Sequence, residues 1–538
     1  MGSEREAAAD YVIVGGGSAG SVLAARLSQD PGTAVTLIEA GPEQKDVRLA
    51  VPAMIGEVLG NRIADWDYAT VPQARLDDRS LRWPRGKVMG GSSAINAMCY
   101  SRGDLRDYDR WAELGAKGWS GAEALHFFKA SETHSEGESQ WHGQDGPLHV
   151  TRPRDVRGAT KRFLRAAEQM GLRRIEDFAG PDREGVGLFD TTTRRGRRCS
   201  AAKAYLTKAV RARPNLTIVT EASCRRVLFD GARASGVEYE RGGEIRMSAA
   251  KREVILCAGA IGTPQLLMLS GVGPSAHLRR HGIGLVADRP GVGANLRDHL
   301  DLLTFLETEP GETISYSVRG LLGNLTAGLE YLIGGTGILA SNLAEGTGFV
   351  SSRSDRERPD IQFHFVPALA MDHGEEKSWG RFGVSLHACN LYPESTGTIR
   401  LASADPDTPP LIDPNYLATE RDWEVMVEGA KLSRRLLSQP AFEEVAKGFL
   451  RPETEPGTDE EWRQLIAAEA ETIYHPVGTA RMGPAADEGA VTDPSGLVHG
   501  TQGLRVVDAS LFPDLPGGNT NAPTIMVAER IFARSMAQ

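Results

Sequence analysis

The first residues able to do chemistry are a run of glycines. Gly15-Gly16-Gly17-Ser18-Ala19-Gly20 has G-x-G-x-x-G spacing. Gly15 suits a tight turn, Gly17 lets backbone approach a pyrophosphate, and Gly20 lets a helix pack closely on a strand. A diphosphate there would sit at a helix N-terminus, where unpaired N–H groups and the helix dipole attract anions. Glu39 follows Gly20 by 19 residues, where a carboxylate can accept hydrogen bonds from ribose hydroxyls. An acid at that distance disfavours a 2′-phosphorylated ribose and leaves FAD or NAD as the dinucleotide.

Such a site needs a strand before it and a helix behind it. Asp10 to Val14 is a short β-branched run that predicts a strand, and Val22, Leu23 and Leu27 share one face of the helix that follows. Ala34 to Ile38 predicts the second strand, ending at Glu39. Val254 to Ala276 carries no formal charge for 23 residues. Pro264, Gln265 and several glycines make it strand, turn and helix rather than a membrane span. Ile361 to Val366 and Phe382 to His387 alternate as strands with one covered face. The charged stretch Ser352 to Asp360 predicts a solvated loop, as does the basic cluster Arg194, Arg195, Arg197 and Arg198, for which an anion site is the other reading.

Composition narrows the class. With 61 basic and 71 acidic residues the formal charge is −10, which repels nucleic acid and anionic lipid. Hydrophobic content of 41% and charged content of 25% are those of a globular protein, not a disordered, fibrous or membrane-spanning one. Glycine, 61 of 538 residues, is about 11% against a usual ~7%, as expected of many tight turns and close backbone approaches. Five widely separated cysteines spell neither a disulfide framework nor a CxxC site. They and the polar start, Glu4 to Asp10, predict a cytoplasmic protein without a leader.

Longer motifs carry a resemblance. Trp83-Pro84-Arg85-Gly86-Lys87-Val88-Met89-Gly90-Gly91-Ser92-Ser93-Ala94-Ile95-Asn96 and the stretch Gly259 to Gly273 are similar to the two signatures of the glucose-methanol-choline (GMC) flavoprotein oxidoreductases. Gly291 to His299, Tyr474-His475-Pro476-Val477-Gly478-Thr479 and Gly518-Asn519-Thr520-Asn521-Ala522-Pro523-Thr524 extend the resemblance to nearly the whole chain. Asn342 to Gly346, Pro359 to Phe365 and Pro410 to Tyr416 resemble bacterial choline-dehydrogenase-like enzymes, especially flavin-dependent alcohol dehydrogenases of alkane degradation.

The resemblance implies an α/β fold, α+β overall. A doubly wound, Rossmann-like FAD domain comes from 8–155, 195–300 and 470–536. A substrate domain on an antiparallel sheet comes from 156–194 and 301–469. It implies flavin contacts at Gly15, Gly17, Ser18, Ala19, Glu39, Gly90, Gly91, Asn96, Ala97, Met98, Val227, Ala258, Asp508, Ala509, Asn519, Thr520 and Pro523. Some relatives bind FAD covalently through a histidine where this chain has Ile95, so the flavin is expected to be non-covalent. Flavin-dependent alcohol oxidation requires loss of the hydroxyl proton, hydride transfer to flavin N5 and stabilisation of the developing alkoxide. His475 is the implied base and Asn519 the implied donor to the substrate oxygen. Glu345 matches a carboxylate in the substrate cavity of choline-oxidising relatives; a structural ion pair is its other reading. Asp298-His299 are adjacent and would point to opposite faces of a strand, and the family uses no metal, so none is expected.

The implied activity is oxidation of primary alcohols to aldehydes, with electrons passed to a quinone or another non-oxygen acceptor. Alternatives are an oxidase that uses O₂ on aliphatic, aryl or furanic alcohols or on choline, and a hydroxynitrile lyase with structural FAD. A membrane quinone would require peripheral docking on the inner membrane. Oligomeric state is not readable.

Overall fold

A computed structural model describes residues 8–153, 155–315, 330–370 and 380–536. Two seven-stranded sheets organise the chain. In the first, β1 (Ala9–Val14) leads through the glycine turn into α1 (Ser18–Leu27) and then β2 (Val35–Ile38). The sheet continues through β3 (Leu216–Val219) and the meander of β4 (Ala222–Asp230), β5 (Arg233–Arg241) and β6 (Glu244–Leu256). β3, β2, β1, the end of β6 and Leu504–Val506 run parallel in that order. The start of β6 instead pairs antiparallel with β5.

That division of β6 follows its sequence. Glu244 to Arg252 mixes charge with small residues, whereas Val254, Ile255 and Leu256 are fully buried, the continuous apolar run of a strand covered on both faces. The chain then turns at Ala258 into α2 (Gly259–Leu269), which realises the strand, turn and helix expected for this uncharged stretch. Among the described residues no helix is long and apolar enough to cross a membrane.

The second sheet is antiparallel. It is built from β7 (Leu300–Thr308), β8 (Gly346–Val350), β9 (Ile361–Val366), β10 (Gly383–Asn390), an outer strand Ala446–Arg451, the edge strand Gly185–Leu188, and the short strand Glu471–Thr472 beside β7. Ile361, Phe363 and Phe365 of β9, with Val384, Leu386 and Ala388 of β10, pack against α3 (Glu420–Leu437) and the helix Gly158–Gln169. The intervening residues, among them His364, Val366 and His387, face a cavity. The alternation predicted one covered face; both are buried, because the first sheet and its loops close over the second face.

The last helix, α4 (Asn521–Ile531), lies against α1. Arg26 and Glu529 pair across that contact at 2.7 Å, and the Tyr205 hydroxyl donates to the same carboxylate. All five cysteines are unpaired.

Candidate active site

A cavity of about 780 Å³ runs from β4 past the glycine turn to β9 and β10. Gly15, Gly17, Ser18, Ala19, Glu39, Gly91, Asn96, Ala97, Met98, Ala258, Asp508, Ala509, Asn519 and Thr520 line it. Gly15 has φ +100°, and a Cβ there would lie 2.4 Å from the Cys257 carbonyl oxygen. A Cβ on Gly20 would lie 1.9 Å from the Gly15 carbonyl oxygen, so only glycine lets α1 start this close to the turn.

Glu39 accepts from the Gly16 and Gly41 N–H groups at 2.7 and 2.8 Å. Burial, opposed by these two bonds, pushes its carboxyl up to about 7. The N-terminal ends of α1, α2 and α4 all border the cavity. Glycine backbone and helix ends suit a diphosphate, Glu39 suits a ribose, and Glu221 to Arg225 with Pro406 to Pro409 line the far end. The residues therefore fit FAD.

Three expected flavin contacts do not line the cavity. Gly90 stands behind the turn, its N–H donating to the Gly16 carbonyl at 2.7 Å. Val227 is buried, and its N–H donates to the Ser270 hydroxyl. A register shift between Cys224 and Arg226 separates it from Ala222 to Arg225, which do line the cavity. Pro523 is buried in the first turn of α4, where its missing N–H costs no helical bond; Asn521 and Thr524 line the wall instead. Asp508 lies at the wall, but its carboxylate is engaged by Gly259 N–H, the Thr263 hydroxyl and Ser510.

His475 sits in the opposite wall, after Tyr474, whose φ of +68° marks a tight reversal. Its Nε2 lies 3.2 Å from Asn519 Nδ2, and its Nδ1 lies 3.0 Å from His299 Nδ1. His299 Nε2 lies 3.0 Å from the Leu391 carbonyl oxygen. Asp298 accepts from the His475 N–H at 2.6 Å and from the Thr472 and Tyr416 hydroxyls. The pairing of Leu300 with Thr472 sets these segments side by side. Burial, with His299, His364 and Arg85 nearby, holds the His475 imidazole well below the usual histidine range. Burial also lowers His299 to about 4 against its bond to Leu391. In both rings burial favours the neutral form.

Asp298 and His299 are thus the functional neighbours that sequence reading missed. They stood in a matched motif, but no sequence spacing reports a contact across 176 residues. Arg198 is the other. Of the basic cluster, Arg194, Arg195 and Arg197 are exposed, whereas Arg198 is buried. It donates to the Leu49 carbonyl and to both oxygens of Asn96, fixing a cavity-wall residue. Burial pulls its guanidinium down to about 9.

Glu345 is not in the cavity wall. Its buried carboxylate accepts from the Arg157 N–H at 2.9 Å, the Thr160 hydroxyl at 2.6 Å and the Ser341 hydroxyl at 2.8 Å. It ties the helix Gly158–Gln169 to the segment before β8, through hydroxyls and a backbone amide rather than an ion pair. Around His475 the wall is formed by Cys99, Asn342, Leu343, Ala344, Val366, Leu369 and Ile473 with His364 and His387. Among the described residues no carboxylate lines this end. One cluster elsewhere, His134, His142 and Asp190, has metal-ligand atoms in proximity. Arg152 pairs with Asp190 at 3.1 Å, and His142 with Glu132 and Asp177.

A largely parallel sheet with a glycine-turn cradle, an antiparallel sheet facing it and a buried histidine between them are the architecture of a dinucleotide-dependent oxidoreductase. The chain belongs to the GMC oxidoreductase family, whose models match residues 9–301 and 393–528. It is 44% identical over 527 residues to an alcohol dehydrogenase [acceptor] of Pseudomonas putida, covering 97% of this chain and 94% of the relative. It is also 44% identical over 531 residues to an oxygen-dependent choline dehydrogenase of Chromohalobacter salexigens, covering 98% and 94%. The solved structure of pyridoxine 4-oxidase from Mesorbium loti is similar at a TM-score of 0.88 and 33% identity, covering 98% and 99%.

Proposed function

We propose that the protein oxidises neutral primary alcohols to aldehydes and passes the electrons to a quinone or another non-oxygen acceptor. The observation that carries the reading is the His475–Asn519 contact of 3.2 Å in the cavity wall. Bound FAD supplies the hydride acceptor. His475 Nε2 takes the hydroxyl proton, and the Asn519 amide donates to the oxygen as charge grows on it. The apolar wall excludes water around that oxygen, which strengthens both interactions.

FAD is held non-covalently in this reading, because Ile95 at the cavity wall offers only methyl groups. Segments 8–155, 195–300 and 470–536 bind it, and 156–194 with 301–469 complete the substrate side. A neutral substrate is favoured over choline because a quaternary ammonium wants a carboxylate or an aromatic cage, and Glu345 is engaged elsewhere. The non-oxygen acceptor follows the alcohol dehydrogenase [acceptor] likeness, and a membrane quinone would require peripheral docking. Oxidase activity is the competing reading, favoured by the oxygen-dependent relatives.

The test is anaerobic mixing of the yellow holoenzyme with a panel of alcohols and choline, followed by an acceptor or air. Bleaching by neutral alcohols at lower concentration than choline supports the reading. Bleaching by choline alone, or by none of them, sinks it. Acid or heat should release the flavin from the polypeptide; flavin absorbance that stays with the denatured chain refutes non-covalent binding.

A further inference from the structure

We propose that His299 is a positioning residue that locks His475 in the one tautomer able to act as a base toward the cavity. The proposal rests on the reading of His475 as the base.

The assignment starts from a fixed end. The Leu391 carbonyl can only accept, so the His299 Nε2 at 3.0 Å carries the proton that it receives. A neutral imidazole has one N–H, which leaves His299 Nδ1 with a bare lone pair. That lone pair faces His475 Nδ1 at 3.0 Å, so His475 Nδ1 must be the N–H that donates to it. His475 Nε2 is then bare and turned to Asn519 and the cavity, where an alcohol proton must arrive.

The opposite tautomer would set two nitrogen lone pairs against each other across that same 3.0 Å gap and leave no base facing the cavity. The edge-on arrangement of the two rings, 86° apart with centroids at 5.2 Å, directs the bond in the plane of the donor. Asn519 follows from the same chain: its Nδ2 donates to Nε2 until a substrate hydroxyl takes that place.

Every group facing His475 is consistent with a neutral relay. Asp298 binds the backbone N–H of His475 rather than the ring. Arg85 spends Nη2 on the Tyr474 carbonyl, and burial, followed by the neighbouring rings His299 and His364 and the charge of Arg85, disfavours an imidazolium. A histidine in place of a carboxylate behind the base therefore fixes the tautomer without raising the basicity of the ring.

Three variants of the holoenzyme test this. His299→Gln retains one acceptor and one donor, His299→Leu retains neither, and His299→Asp puts a charge behind the base. Each is purified with FAD, its flavin content and melting temperature are recorded, and anaerobic flavin reduction by a bleaching alcohol is followed from pH 5 to 9. His299→Leu should keep its flavin yet reduce it on the order of 10-fold more slowly or worse, short of the ~10⁴-fold that a fully inverted tautomer costs a histidine base. The loss should fall on the limiting rate rather than on the substrate concentration needed. His299→Gln should recover most of it, and His299→Asp should move the acid limb of the profile to higher pH.

A His299→Leu enzyme that reduces flavin at the parent rate at every pH overturns the proposal. If that variant does not hold flavin, an unmoved limb in His299→Asp overturns it equally. His475→Ala separates the two ideas. Full-rate reduction there removes the base itself, whereas slow reduction there with fast reduction in His299→Leu removes only the lock.

Discussion

His475 and Asn519 lie 3.2 Å apart, and if both act on one substrate oxygen, as proposed, that sets what their removal should cost. His475→Ala is expected to leave FAD bound and slow anaerobic flavin reduction by ~10²–10⁴-fold. Asn519→Ala removes one donor from a preorganised site, on the order of 3 kcal/mol at most. The double variant should be no slower than His475→Ala by that full factor, because without the base there is less charge to stabilise. Stopped-flow bleaching measures all three, and strict multiplication of the two effects would show the residues acting on different atoms. The pH profile follows from burial. The active base is neutral, so kcat/KM falls as pH falls through its pKa, which lies well below the ordinary histidine value. The profile should be level from pH 8 to below 6.5; half-loss at 6.5 would contradict the burial described here. Glu345 makes the opposite kind of residue. Glu345→Gln replaces an acceptor of three buried donors and should cost about 1–3 kcal/mol of stability. Its KM for neutral alcohols should stay unchanged, and a larger shift in KM than in melting temperature would return Glu345 to the substrate. The meeting of His475 with Asn519 could be foreseen because unbroken motifs surround both. Glu345 stayed open between two readings because a motif names a residue without saying which side of a wall its carboxylate takes.

Among the elements, the parallel sheet could be foreseen from its uncharged, β-branched runs, since a strand buried on both faces leaves little choice of residue. The register shift after Cys224 could not, and it displaced Val227. The two covered faces of β9 and β10 escaped the alternation for a related reason: a face that looks into a cavity tolerates His364 and His387 as readily as solvent would. Packing of the segment Glu132 to Asp190 against the rest rests partly on charge. His142 lies between Glu132 at 3.0 Å and Asp177 at 2.9 Å, and Arg102 meets Glu132 at 2.5 Å. Burial opposes the imidazolium, yet its bonds to Asp177 and Glu132 raise its pKa above the usual value. Glu132 is lowered to about 2, because Arg102, His142 and Tyr100 outweigh burial, and Asp177 is lowered too. A raised histidine contributes stability that is complete below the unfolded pKa of about 6.5 and is lost as pH rises through the folded value. The lowered carboxylates contribute above about 4 and lose it on acidification. His142→Gln should therefore lower the melting temperature most near pH 6, with the gap to the parent narrowing toward pH 9. A gap that widens with pH would reverse the assignment.

At the scale of the molecule, the open question is where electrons leave. Dichlorophenolindophenol or a quinone analogue is expected to support much faster steady-state turnover than air, and equal rates would move the chain to the oxidase reading. The order of assembly is written in the same architecture. The parallel sheet begins with β1 and β2 and is completed by Leu504–Val506, while α4 supplies the far wall beside α1. A ribosome adding ~5–20 residues per second needs roughly half a minute to a minute and a half to travel from β2 to that last strand. For the second half of that interval, once Leu256 has been added, the nascent chain carries the apolar edge of β6 unpaired, and Asn519 is not yet there to meet His475. Closure of the cavity wall around a flavin is therefore an event at the end of synthesis.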